Sequence, residues 1–337
     1  MSKKIETIDK NHKTKKKRRI FLYMIVFLVF DITQVFVVKA IRGEKKDTAG
    51  CQNSYYHHDL KPLKITEAIW GEHSYQIITN SLGFKDYKCR QVPLSVPCKR
   101  ILFIGDSFTE GIGVEYKDTF VGHIEKYLKG KDIDVLNAAV RSYSPKLYYL
   151  KTKTLIETSD IQDEIVYEQS ISSNSEYGFQ KYFFYYTKKS LLRNIYRKIG
   201  LRKRKTMHSV FEDYFEERTL WPYDNGLYEK WGKRGLELAE YNMDLLLKLC
   251  EDNNIRMTIS IYPYPLDLQK NTSSIYRRFW IQYARNRELE LFDMFDVFQA
   301  AGTAKEVIQL FTAGDSHWNQ KGHRVVAEAW LAYFYPE

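Results

Sequence analysis

Ile101-Leu102-Phe103-Ile104 is a short, uninterrupted apolar run, and Gly105-Asp106-Ser107-Phe108 follows it directly. Consecutive apolar residues suit a strand covered on both faces, the kind found in parallel sheets held between layers of helices. The pattern recurs. Ile133 to Leu136, Asp163 to Ser172, Ile255 to Tyr262 (closed by Pro263) and Leu289 to Phe292 read as further strands. Helical spacing runs over Thr119 to Leu128, Pro145 to about Ile156, Tyr228 to Asn253, Ser273 to Arg287 and Gln320 to Tyr333. Repeated units of this length predict an α/β fold: a doubly wound, mostly parallel sheet in three αβα layers. Sites in such sheets form beyond the carboxyl ends of the strands.

Ser107 stands where a buried strand ends and the backbone turns. Some two hundred residues later, Gly314-Asp315-Ser316-His317-Trp318-Asn319 lies on the loop before the last helix. The two segments supply nucleophile, base and orienter, the three roles of a serine acyl-transfer site. A serine hydroxyl is a poor nucleophile at neutral pH, so Ser107 needs a base within hydrogen-bond reach, and His317 is the candidate. Residues two apart in an extended segment face the same side, which lets Asp315 reach the other ring nitrogen. His323, in the first turn of the last helix, is the alternative base and reads first as structural.

On these residues the chain resembles the GDSL or SGNH hydrolases over about residues 98 to 337. The first block matches in Gly105-Asp106-Ser107-Phe108-Thr109-Glu110-Gly111, and the last in Asp315-Ser316-His317-Trp318-Asn319 with Gly322-His323. Asn137-Ala138-Ala139-Val140-Arg141-Ser142-Tyr143-Ser144 sits where the family carries a glycine, here Ser142. Ser172-Ser173-Asn174-Ser175 sits where it shows Gly-x-Asn-Asp, which makes Asn174 the block asparagine. The resemblance implies a flavodoxin-like SGNH hydrolase fold, with Ser107, His317 and Asp315 catalytic. It implies an oxyanion hole made of the Ser107 and Ser142 backbone N–H groups and the Asn174 side chain. Many members space the pair as Asp-x-x-His, where this chain has Asp-x-His. A side chain at 142 keeps the N–H but demands a backbone shape that a β-carbon tolerates.

The net charge of +10 would suggest nucleic acid if it were spread over the domain. Residues 1–19 instead hold nine basic side chains against Glu6 and Asp9, a net +7, leaving about +3 for everything else. The apolar run Ile20 to Phe30 follows at once and resumes over Ile32 to Ala40, interrupted by Asp31, Thr33 and Gln34. As a helix, twenty-one residues at about 1.5 Å each span about 30 Å, a bilayer core. The expectation is a basic cytoplasmic tail (1–19), a single transmembrane helix (20–41) and an exported domain, with no nucleic-acid partner. A cleaved signal peptide is the alternative, although no small-x-small site follows at the right distance. Asp31 would face a partner or a polar cavity, or lie near water.

Residues 42–97 show little regular pattern and read as a stalk or lead-in lying across the domain. An exported domain allows a Cys89 to Cys98 disulfide that would clip this lead-in to the first strand. No cysteine pair has zinc spacing, so neither metal nor cofactor is expected. The insert 176–227 breaks the alternation. It is rich in aromatic and basic residues, from Tyr177, Phe179 and Tyr182 to Arg202-Lys203-Arg204-Lys205, and reads as a lid or a helical cap.

With this N-terminal pattern, the resemblance implies one of three functions. The first is an extracytoplasmic serine esterase removing acyl groups, often acetyl, from a cell-envelope glycan or lipid. The second is an O-acyltransferase on the same residues, a sugar hydroxyl replacing water, beside a multi-span membrane acyl donor. The third is a catalytically inactive, glycan-binding subunit.

Overall fold

The computed structural model describes residues 18–19, 21–31, 33–34, 49–70, 73–158, 164–169, 220–270, 274–313 and 315–336. The chain divides into two compact units, one of residues 1–46 and 175–214 and one of 47–174 and 215–337. In the first, residues 21–31 are helical, the side chains from Phe21 to Phe30 are exposed and Asp31 is buried. Among the described residues no helix is long and apolar enough to cross a membrane. Residues 20, 32 and 35–41 of the expected span, and all but 220–227 of the 176–227 insert, lie outside the described residues.

The second unit opens with two antiparallel hairpins, where the sequence suggested an irregular stalk. β1 (Gly50–Asn53) pairs with β2 (His57–Leu60), and β3 (Ile65–Trp70) with β4 (His73–Ile78). Tyr56, Leu60, Ala68, Tyr75, Ile77, Phe84 and Val92 enter the same buried cluster as Leu102 and Ile104 of the first sheet strand. The segment is therefore part of the domain core. Cys89 and Cys98 stand as free thiols. Buried Arg100 clips the lead-in to the sheet instead. Its Nη1 and Nη2 each donate at 2.9 Å, to the Leu94 and Pro93 carbonyls, while its Nε donates to Asp134 at 2.8 Å. Lys151, fully buried, pairs with Asp59 at 2.8 Å and ties the first hairpin to the helix behind it.

Beyond the hairpins the chain follows the expected alternation. β5 (Lys99–Ile104) leads into α1 (Ser107–Glu110) and α2 (Phe120–Leu128); β6 (Ile133–Asn137) leads into α3 (Pro145–Thr158). β7 (Glu164–Gln169) follows, then α4 (Lys233–Asp252), β8 (Met257–Ile261), α5 (Ile275–Asn286), β9 (Glu290–Asp293), α6 (Met294–Ala300) and α7 (Gln320–Phe334). The five strands are parallel and lie in the order β6-β5-β7-β8-β9. This is the flavodoxin-like order, with its topological switch point beside the first strand, β5.

Side chains on β5 alternate between two cores, as the period-two geometry of a strand requires. Ile101 and Phe103 pack with residues of α2, α6 and α7, while Leu102 and Ile104 pack with residues of α3, α4 and α5. That alternation makes the three layers. α2 starts at Thr119, whose hydroxyl accepts the Gly122 N–H at 3.1 Å, and buries Phe120, Val121, Ile124 and Leu128. α7 starts at Asn319, whose side-chain oxygen accepts from Lys321 and Gly322. Each start is a side-chain N-cap that satisfies otherwise unpaired N–H groups.

Candidate active site

Beyond the carboxyl end of β5 the chain turns at Gly105-Asp106 and enters the single turn of α1. Asp106 caps that turn: its Oδ1 accepts the Phe108 N–H at 3.0 Å, and its Oδ2 accepts the Tyr262 hydroxyl at 3.0 Å. Gly111 ends the turn at φ +71°, with its N–H on the Ser107 and Phe108 carbonyls. A left-handed residue here is the usual helix stop, and glycine adopts it without a β-carbon penalty. Ser107 is thereby the first residue of a turn anchored at both ends, and it is half-buried.

The second piece is set by the bridge Phe311↔Trp318. Thr312 N–H donates to the His317 carbonyl at 2.8 Å, and Asp315 N–H to the Thr312 carbonyl at 2.9 Å. Trp318 is fully buried against Phe108, Phe120, Phe298 and Tyr262, which pins the residue after the histidine. His317 Nε2 comes to 2.8 Å from Ser107 Oγ, and its Nδ1 to 2.6 Å from Asp315 Oδ1. A carboxylate only accepts, so Nδ1 carries the proton and Nε2 is left to accept from the serine hydroxyl. Phe108 stacks beneath the imidazole at 4.8 Å between ring centroids and rests in turn on Tyr262 at 4.2 Å.

Asp315 remains ionised. Burial pushes its carboxyl up, but the bonds from His317 and from the Trp70 indole outweigh that and bring it down to about 2. An ionised carboxylate at this place fixes the imidazole tautomer and could stabilise an imidazolium. His323 does neither. It is buried, stacks on Phe120, and accepts the Phe120 N–H at Nδ1 over 3.2 Å. Burial, reinforced by Lys85, lowers its pKa to about 3, so it stays neutral as a cap on α2.

Ser142 lies on the loop after β6, the strand beside β5. It adopts φ +66°, the left-handed region that a glycine enters without strain. Both of its neighbours are tied down. The Arg141 N–H donates to Glu110 Oε2 at 2.6 Å, His58 Nε2 donates to the Arg141 carbonyl at 2.8 Å, and the Tyr143 hydroxyl donates to the His58 carbonyl at 2.8 Å. Asn174 lies outside the described residues. The structure thus joins Ser107, His317 and Asp315 in one hydrogen-bond chain and places Ser142 one residue from a bond to α1.

Sequence reasoning passed over the supports. Trp70 donates to Asp315 from the second hairpin; Glu110, Arg141 and His58 hold the loop around Ser142. A signal for that hairpin was present, since Ile65 to Trp70 and His73 to Ile78 are β-rich runs separated by the two residues Gly71-Glu72.

No family model matches the chain, and no curated protein matches it. Solved structures similar to it include an acetyl xylan esterase, AlAXEase, with TM-score 0.45 and 13% identity over 70% of this chain and 99% of that one. A catalytic mutant of an acetylxylan esterase from Geobacillus stearothermophilus gives TM-score 0.44 and 14% identity over 71% of this chain and 95% of that one. A member of the lipolytic G-D-S-L family from Veillonella parvula gives 0.42 and 14%, over 70% and 98%. Likenesses this weak decide neither fold nor chemistry.

Proposed function

We propose that the chain is a serine ester hydrolase of the SGNH type, acting through an acyl-enzyme on Ser107. The observation that carries this is the continuous chain Ser107 Oγ, His317 Nε2, His317 Nδ1, Asp315 Oδ1, with contacts of 2.8 and 2.6 Å. Ser107 Oγ attacks the acyl carbonyl and its proton passes to His317 Nε2. The tetrahedral oxyanion is met by the Ser107 and Ser142 N–H groups and by the Asn174 amide. His317 then protonates the departing alkoxide, and water, deprotonated by the same nitrogen, releases the acid. Losing one oxyanion donor costs on the order of 3 kcal/mol in other serine enzymes.

The proposed substrate is an acetyl-bearing cell-envelope glycan or lipid. Export to that compartment rests on the nine basic residues of 1–19 followed by the apolar stretch 20–41, which together favour a single-pass anchor with a cytoplasmic N-terminus. An O-acyltransferase would use the same acyl-enzyme with a sugar hydroxyl in place of water.

The test is p-nitrophenyl acetate turnover by the full chain beside Ser107→Ala and His317→Ala. Loss of about a thousandfold or more in both is expected. Equal rates in all three proteins would overturn the proposal and leave the inactive, glycan-binding subunit.

A further inference from the structure

We infer that Trp70 is a positioning residue of this site, holding the Asp315 carboxylate in the orientation that aligns His317. The inference rests on the hydrolase proposal above. It adds a contribution from the hairpins that precede the sheet, a part of the chain in which the sequence suggested only a stalk.

The geometry is two-sided. Asp315 Oδ1 accepts from His317, from Nδ1 at 2.6 Å and from the backbone N–H at 3.1 Å. Its Oδ2 accepts the Trp70 indole N–H at 2.7 Å. With a different partner on each oxygen, the carboxylate cannot rotate about its own axis without breaking one of them. An indole N–H is a donor without acceptor capacity, so it suits an ionised carboxylate and cannot replace the imidazole.

Trp70 is itself held. It ends β3 in register with His73 of β4, and its ring stands edge-on to His317 at 5.2 Å between centroids and 83° between planes. Its inner edge lies over Gly113, where an added β-carbon would meet Trp70 Cδ1 at 3.2 Å and Cβ at 3.4 Å. Gly113 follows α1, the turn that begins with Ser107, and sits at φ +78°. The indole therefore spans the gap between the nucleophile's own loop and the acid of the triad.

Removing the N–H frees the carboxylate to turn, which misaligns the imidazole and lowers kcat with little change in KM.

The experiment compares full-length Trp70→Phe, Asp315→Asn and the double variant with the unsubstituted protein in p-nitrophenyl acetate turnover. The expected result is a kcat about tenfold lower in Trp70→Phe, with KM nearly unchanged. Trp70→Phe should cost little further in the Asp315→Asn background, since the two residues act through one carboxylate. Nitrogen-15 NMR of Asp315→Asn supplies a readout that does not need the tryptophan variant to fold: one indole N–H resonance should shift. An unchanged kcat in Trp70→Phe, or unmoved indole resonances in Asp315→Asn, would overturn the inference. If Ser107→Ala abolishes turnover in the same assay, the hydrolase proposal survives that failure; if it does not, the proposal itself has failed.

Discussion

The Arg141 N–H donates to Glu110 Oε2 at 2.6 Å, and the Arg141 guanidinium reaches Glu110 Oε1 at 2.8 Å. Through this pair the residue before Ser142 is bound to the last residue of the turn that begins at Ser107. Glu110 is fully buried. Burial alone would raise its pKa, but Arg141 and Lys85 outweigh that and hold it below the usual carboxylate range. Lys85, also buried, donates to the Gly111 and Val114 carbonyls at 2.8 Å each.

Glu110→Gln is expected to destabilise the protein by about 3–5 kcal/mol, because it strands Arg141 and Lys85 without their counter-charge. Burial already pushes Lys85 down to about 7, so in the variant it should discharge and recover part of that loss above neutral pH. Urea unfolding at pH 6 and pH 9 checks this. A variant as stable as the parent at pH 6 would show that the pair contributes nothing.

Ser142→Gly tests the one left-handed serine of the site. Holding a β-carbon at φ +66° costs about 1–2 kcal/mol, while glycine gives back about 0.5–1 through its freer unfolded chain. The variant should therefore match or slightly exceed the parent in thermal stability and keep its turnover. Ser142→Val should lose both, since a branched side chain adds crowding at the same φ. A Ser142→Gly protein that melts well below the parent would contradict this account of the loop.

His323 sets the acid limit of stability. Its folded pKa, about 3, lies below the free value of 6.5. Between those values the unfolded chain takes up a proton that the folded chain refuses. The contribution is therefore complete above about pH 6.5 and is lost as pH falls toward 3, by up to about 1.4 kcal/mol per pH unit. His323→Asn keeps an acceptor but does not titrate, so its urea midpoint should fall less between pH 7 and pH 4. Parallel pH profiles for the two proteins would contradict the assignment. The corresponding window for Asp315 lies lower, from 3.8 down to about 2.

The sheet was legible because its signals are local. Ile101 to Ile104 are apolar on both faces, and β5, β6, β8 and β9 fall within a residue or two of their expected bounds. The Ser107, Asp315 and His317 trio was legible because each residue stands beside a strand end or a helix start with its own sequence pattern. Trp70 was not. Its partner lies 245 residues away, and nothing in the local pattern of β3 marks which face meets Asp315. The Cys89 to Cys98 clip failed for a similar reason. Arg100 makes that connection through backbone carbonyls, which leave no trace in the sequence.

The central claim, that Ser107 is a nucleophile activated by His317, is tested most directly by intact-mass and peptide mapping after exposure to a fluorophosphonate. Oγ would displace fluoride at phosphorus, with the serine proton passing to His317. The account predicts a single stoichiometric adduct on Ser107, absent in Ser107→Ala and formed far more slowly in His317→Ala. An unmodified Ser107, or labelling at the same rate without His317, would contradict it.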